Sequence, residues 1–174
     1  EKGRQWQLAL LLLSCMPKLR LPPDVISCNT AIGACGNGAQ WDHALTIVGS
    51  MLVLRFTPDT ARCSATISAC RKGSQWQSGL RLFDLLPELH VAPNIVTHST
   101  AISSQEVGGQ WQSALVLLHE MPRLSIVPDV VSCSAAISAC ENDGRWQTAV
   151  ALLHCMSSSR IMPNEFSCNP AISA

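Results

Sequence analysis

Apolar positions recur along this chain at two nested spacings. Over short windows they fall three and four residues apart, the spacing of a single helix face. Cys63, Ile67 and Cys70 form one such stretch, and Trp76, Leu80 and Phe83 form the next. Over the whole length the same pattern returns every 35 residues, as Trp6, Trp41, Trp76, Trp111 and Trp146 show. Pro23, Pro58, Pro93, Pro128 and Pro163 keep the same interval, each followed by a short polar residue: Asp24, Asp59, Asn94, Asp129 and Asn164. Ile32, Ile67, Ile102, Ile137 and Ile172 form a further column, and Met16, Met51, Leu86, Met121 and Met156 another.

A unit that begins just after the Pro-Asp/Asn pair gives four complete repeats, 25–59, 60–94, 95–129 and 130–164, with partial repeats 1–24 and 165–174 at the ends. Each holds two helical stretches around a polar, Gly-bearing turn such as Gly36-Asn37-Gly38 or Gly108-Gly109. Proline disfavours helical backbone in the residue before it and so separates the units. The Asp or Asn that follows is a good N-cap, because its side-chain oxygen accepts from free backbone N–H groups. Neither helix is long enough to be stable alone. Stacking the units buries a continuous core, and the expected fold is all-α, a single right-handed α-solenoid spanning 1–174. The small column Ala9, Ala44, Gly79, Ala114 and Ala149 lets helices approach closely, with Trp and Leu filling the space around it. The tryptophans read as packing residues on the second helix, not as base-stacking aromatics on an open face.

Composition changes this picture little. The apolar fraction is 47% with no Tyr, which supports a packed core over disorder. The longest apolar run, Leu8 to Leu13, is far short of the roughly 18 residues of a membrane span, so no membrane partner is expected. Twelve basic residues balance twelve acidic ones, so net charge does not advertise a polyanionic partner. Nine cysteines invite a disulfide or zinc reading, yet Cys28 and Cys35, Cys63 and Cys70, and Cys133 and Cys140 are each seven apart. Seven residues of helix rise roughly 10.5 Å. A disulfide needs Cα atoms within about 7 Å, and two thiolates that far apart cannot share one zinc ion. They read as small buried hydrophobes, and no metal or other cofactor is expected. The chain opens at Glu1 with a unit under way and stops at Ala174 in mid-unit, which suggests a piece of a longer protein.

Val25-Ile26-Ser27-Cys28-Asn29-Thr30-Ala31-Ile32, continued by Trp41-Asp42-His43-Ala44-Leu45, resembles the signature of the pentatricopeptide repeat family, as does Val130-Val131-Ser132-Cys133-Ser134 with Trp146 to Leu152. The resemblance covers the whole chain. Tetratricopeptide repeats are the near rival, but their unit is 34 residues long. Membership would imply sequence-selective binding of single-stranded RNA, one nucleotide per repeat. It would also imply a chloroplast or mitochondrial setting and a role in organellar RNA processing, stability, editing or translation. The implied base-reading pairs are Asn29 with Asp59, Ser64 with Asn94, Ser99 with Asp129, and Ser134 with Asn164. Asp24 would be the partner of a preceding unit and Asn169 the start of a following pair. The implied base-sandwiching positions are Ile26, Ala61, Val96, Val131 and Phe166, with Ala61 the poorest. By the family's code these pairs favour 5′-UAGA-3′.

Each of these residues also has a plain structural role. The Asp and Asn column caps helices whatever the protein binds, and the Asn29, Ser64, Ser99 and Ser134 column could be ordinary polar residues of a solvated groove. A basic pair at the end of the first helix, Arg71-Lys72, occurs in one unit only, against Gly36-Asn37, Glu106-Val107 and Glu141-Asn142. A protein–protein scaffold holding a peptide in the groove is therefore the standing alternative. Catalysis is not expected: no H-x-E with C-x-x-C and no carboxylate cluster for a metal is present, and His119 and His154 recur as repetition. A monomer with RNA, and with possible protein partners but no small-molecule substrate, is the expected state.

Overall fold

The computed structural model describes residues 5–174. These form ten α-helices, and the described residues contain no strand. The helices are α1 (Gln5–Cys15), α2 (Val25–Asn37), α3 (Trp41–Val53), α4 (Thr60–Lys72), α5 (Trp76–Leu85), α6 (Ile95–Val107), α7 (Trp111–Arg123), α8 (Val130–Glu141), α9 (Trp146–Ser158) and α10 (Glu165–Ser173). A short 3-10 turn, Pro17–Leu19, follows α1. The chain divides into two compact units, one ending at Pro93 and the other beginning at Asn94. In each, the first helices of successive repeats pack on one another, α2 on α4 and α6 on α8 and α10. Each second helix sits against its own first helix and, within the unit, against the next one. Close inner helices with wedged outer ones give the stacked arrangement of a helical-repeat solenoid.

Sequence chemistry sets where the first helix of each repeat starts. Asp24, Asp59, Asn94, Asp129 and Asn164 occupy the N-cap, each accepting a hydrogen bond from the backbone N–H three residues on, at 2.7–3.1 Å. Ser27, Thr97, Ser132 and Ser167 return a hydroxyl to the backbone N–H of the cap residue, completing a capping box in four of the five helices. Arg62 stands at that position in α4 and breaks the column.

The helix ends repeat as strictly. Residues 20, 55, 90, 125 and 160 all have left-handed backbone, with φ of 55–60°, although none is glycine. The N–H one residue further on reaches back to the Met16, Met51, Leu86, Met121 or Met156 carbonyl at 2.8–3.0 Å. That six-to-one bond is the Schellman closure of the second helix. A second closure ends each first helix, with Ala39, Ser74, Gly109 and Gly144 in the left-handed position. The expected Gly36-Asn37-Gly38 turn is therefore placed differently: Gly36 and Asn37 remain within α2, and Ala39 makes the turn. Gly36 is small because a Cβ there would lie 3.2 Å from Ala65 on the neighbouring helix.

The core is the set of columns found by periodicity. Ile32, Ile67, Ile102, Ile137, Met51, Leu86 and Met121 are fully buried. Cys28, Cys35, Cys63, Cys70, Cys133 and Cys140 are buried free thiols, as a hydrophobic role requires. Burial pushes the Cys63, Cys70 and Cys133 thiols up to about 11 from an ordinary 9.0. Ala44, Gly79, Ala114 and Ala149 are buried where helices meet. The tryptophans do not sit in this core. Trp41, Trp76, Trp111 and Trp146 are the first residues of their helices and keep a partly exposed ring. Trp6 lies against Gly38, and Trp41 against Gly73, at the end of the following repeat's first helix. Beside Trp111 the guanidinium of Arg145, the residue just before α9, covers the ring, 5.0 Å from its centroid.

Candidate nucleic-acid interface

Three columns converge on the first turn of each first helix. The cap residue precedes it, an apolar residue follows two positions later, and a polar residue follows three after that, almost one helical turn along the same face. Ile26, Val96, Val131 and Phe166 are exposed by 55–77%, and Ala61 is exposed too. A column of large apolar side chains left in solvent is not explained by packing. The polar column behind it is sheltered: Ser64, Ser99 and Ser134 are about nine-tenths buried and Asn29 is half-buried. Asn169 is exposed.

Between α8 and α10 these residues meet in a cavity of about 440 Å³. Ser134, Asn164, Val131, Phe166 and Asn169 all line it, with Ser103 of α6 at its other side. Ser134 thus shares one cavity with Asn164, the cap of the next helix. A volume of that size admits a small planar ligand. The Ser134 Oγ and Asn29 Oδ1 atoms are shielded and meet no hydrogen-bond partner among the described residues. Ser64 and Ser99 donate to the Thr60 and Ile95 carbonyls at 2.9 and 2.7 Å, so their lone pairs are the groups still open to a ligand.

The caps carry a chemical consequence that composition alone conceals. A backbone N–H must meet an oxygen, so the amides of Asn94 and Asn164 are fixed with Oδ1 on the helix. Their free end is then an NH2 donor, whereas Asp24, Asp59 and Asp129 turn a second carboxylate oxygen outward as an acceptor. At Asp24, hydrogen bonds from the backbone N–H and hydroxyl of Ser27 hold the carboxyl below its usual range, keeping it ionised.

Electrostatics along the first helices are uneven. α4 carries Arg62, Arg71 and Lys72 and no acid, α2 carries no charge, and α6, α8 and α10 each carry one glutamate. Periodicity missed Arg62 as a groove residue because it lies outside the two columns followed. Its signal is the break in an otherwise Ser/Thr column at Ser27, Thr97, Ser132 and Ser167. Among the described residues no cluster of three or more His, Cys, Asp or Glu is placed to hold a metal ion, and no helix is long and apolar enough to cross a membrane.

Stacked helical hairpins with a sheltered polar column behind an exposed apolar one define a helical-repeat protein with its candidate ligand face on the first helices. Residues 116–174 match the pentatricopeptide repeat domain model. The same 35-residue unit runs through the residues before that match, so the likeness to the pentatricopeptide repeat is periodic along the chain. No curated protein matches it in sequence. Among solved structures it is similar to the pentatricopeptide repeat protein PPR10 in complex with an 18-nt psaJ RNA element, at 19% identity and a TM-score of 0.74 over 98% of this chain and 26% of that one. It therefore spans about a quarter of that protein. It is also similar to the PPR domain of Arabidopsis thaliana protein-only RNase P 1 in complex with tRNA, at 11% identity and a TM-score of 0.77, covering 95% of this chain and 87% of that one. A third likeness is to nuclear proteinaceous RNase P 2 from A. thaliana, at 11% identity and a TM-score of 0.75 over 86% and 34%. At these identities the likeness concerns the fold.

Proposed function

We propose that the face of the first helices binds single-stranded RNA, one nucleotide per repeat, with a preference near 5′-UAGA-3′. The observation that carries this is the cavity shared by Ser134, Asn164, Val131 and Phe166, a polar pair flanked by exposed apolar side chains. Two of the similar solved structures hold RNA, which supports the same ligand here. A base slotted between successive apolar residues would bury its faces and leave its pairing edge toward the polar pair.

The caps then account for the preference. Asn at the end of a unit offers a donor, which suits the N1 acceptor of adenine; Asp offers an acceptor, which suits the ring N–H of guanine or uracil. The inner residue selects size: short Ser64, Ser99 and Ser134 leave room for a purine, while longer Asn29 leaves room for a pyrimidine. The pairs Asn29/Asp59, Ser64/Asn94, Ser99/Asp129 and Ser134/Asn164 then spell U, A, G and A. The role is that of a non-catalytic reader, and by family it serves organellar RNA processing, stability, editing or translation.

The test measures binding of single-stranded RNAs containing UAGA against permuted controls at one salt concentration. Asn164→Asp should move the fourth preference from A to G while keeping the cap. Equal binding to all sequences, or an unmoved preference in that variant, overturns the reading. Binding to no RNA would favour a peptide in the groove instead.

A further inference from the structure

Three departures from the repeat meet at one place in the unit ending at Pro93. The exposed apolar residue of the first turn is missing in α4, where Ala61 stands in the column of Ile26, Val96, Val131 and Phe166. The next residue is Arg62, where the other repeats have Ser or Thr. On the neighbouring helix, Gly33 occupies the position held elsewhere by Ser68, Ser103, Ser138 and Ser173. These changes fit one another in space. The Arg62 guanidinium lies across the α2 surface at Gly33, and a Cβ on residue 33 would collide with its Nη1. The backbone does not require glycine there, since Gly33 is in mid-helix; with no Cβ, it leaves room for the guanidinium to lie against α2.

The Arg62 side chain is held but not consumed. Its Nε stands 3.8 Å from Asp59 Oδ2, an ion pair too long for a hydrogen bond, with the side chain 41% exposed. Nε itself is shielded from solvent without a hydrogen-bond partner. Asp59 accepts from the Arg62 backbone N–H through Oδ1, which leaves Oδ2 able to accept from a ligand. The loss of a capping hydroxyl at 62 is a local cost that the fold bears only in this repeat. A planar cation therefore reaches from the first turn of α4 across to α2 at Gly33, one helical turn beyond Asn29 and beside Asp59.

We propose that Arg62 supplies the stacking surface that Ala61 lacks, covering with its guanidinium plane the base bound between α2 and α4. An arginine plane can stack on a base as an aromatic ring does. This rests on the RNA reading above and adds a contact outside its two reading columns and its apolar column. Arg62 is a specificity-neutral contact, because every base has a π-face.

The experiment compares the parent chain with Arg62→Ser, Arg62→Lys and the double variant Arg62→Ser/Ala61→Val, on an RNA containing UAGA and on the same RNA abasic at the first of those four positions. Serine restores the capping box of the other repeats, so the variant folds, and thermal melting verifies this. Arg62→Ser and Arg62→Lys should both bind about tenfold more weakly, since lysine keeps the charge but not the plane. The double variant should recover most of the loss, and on the abasic RNA parent and variants should bind alike. Full affinity in Arg62→Lys, with a shallower salt dependence only in Arg62→Ser, would make Arg62 a phosphate contact and overturn the proposal. Unchanged binding in Arg62→Ser overturns it as well, while the sequence preference of the parent chain at the other three positions would leave the RNA reading intact. A parent chain that binds no RNA removes both.

Discussion

Two residue types that recur with the repeat, Cys and Trp, have physical roles distinct from the candidate interface. The cysteines are fillers. With thiols pushed up to about 11 by burial, Cys63, Cys70 and Cys133 stay protonated in the folded state where an unfolded thiol, near 9.0, would ionise. A pKa raised by folding contributes stability fully present below pH 9 and lost as the pH climbs toward 11. Urea midpoints should therefore fall across that window, and replacing these three residues by Ala should flatten the fall. At pH 8 a maleimide should modify exposed Cys155 in the native protein and reach the buried thiols only on unfolding. The tryptophans are lids, and they explain glycines that the backbone does not. Gly38 and Gly73 have φ of −84° and −86°, open to any residue. A Cβ on Gly38 would lie 2.6 Å from Trp6 Cδ1, and one on Gly73 would strike the Trp41 ring. Gly73→Ala should thus destabilise by about 1–3 kcal/mol, a crowding cost. In the Trp41→Ala background calorimetry should find that cost absent.

At the level of elements, the first helices are capped at their N-termini and both helices of a repeat are closed at their C-termini by repeated local chemistry, and the two closures differ in how well the sequence suits them. The caps are well suited. Asp129→Asn should leave stability within a few tenths of a kcal/mol, because either side chain can accept at the N-cap. Asp129→Ala should cost about 1 kcal/mol. If the RNA reading holds, Asp129→Asn also turns the third preference from G toward A, so one position separates capping from reading. The left-handed closures are poorly suited, since Arg20, Arg55, His90, Ser125 and Arg160 hold a conformation that favours glycine. Ser125→Gly should raise stability by about 1 kcal/mol, read as a higher melting temperature. A decrease would mean that Ser125 makes a compensating contact.

For the molecule as a whole, zero net charge hides a local imbalance. Among the first helices the Lys and Arg residues are Arg62, Arg71 and Lys72, all on α4. Single-stranded nucleic acid releases about 0.7 counterion per phosphate neutralised. With at most these three cations engaged, the plot of log affinity against log salt should have a slope no steeper than about −2. A markedly steeper slope would place the RNA on another, more basic surface. Four contacts also define only about one site in 256 by counting four bases each, so this stretch of repeats would be a modest reader by itself.

Much of this architecture was legible in the one-dimensional pattern. The 35-residue period, the Pro-Asp/Asn boundary and the apolar columns fixed where helices begin and which residues form the core, because those features act over three to seven residues along one chain. Ile32 and Cys35 are buried, and Asp129 caps its helix, for reasons their neighbours in sequence already state. The rest required three dimensions. That Ser134 and Asn164, thirty residues apart, share a cavity depends on how α8 and α10 stack. That Trp41 packs on Gly73, where a single Cβ would strike its ring, and that Arg62 lies across Gly33, follow from contacts between helices. Periodicity reports which residues recur; only tertiary packing decides what a residue that breaks the period, such as Arg62, has broken it for.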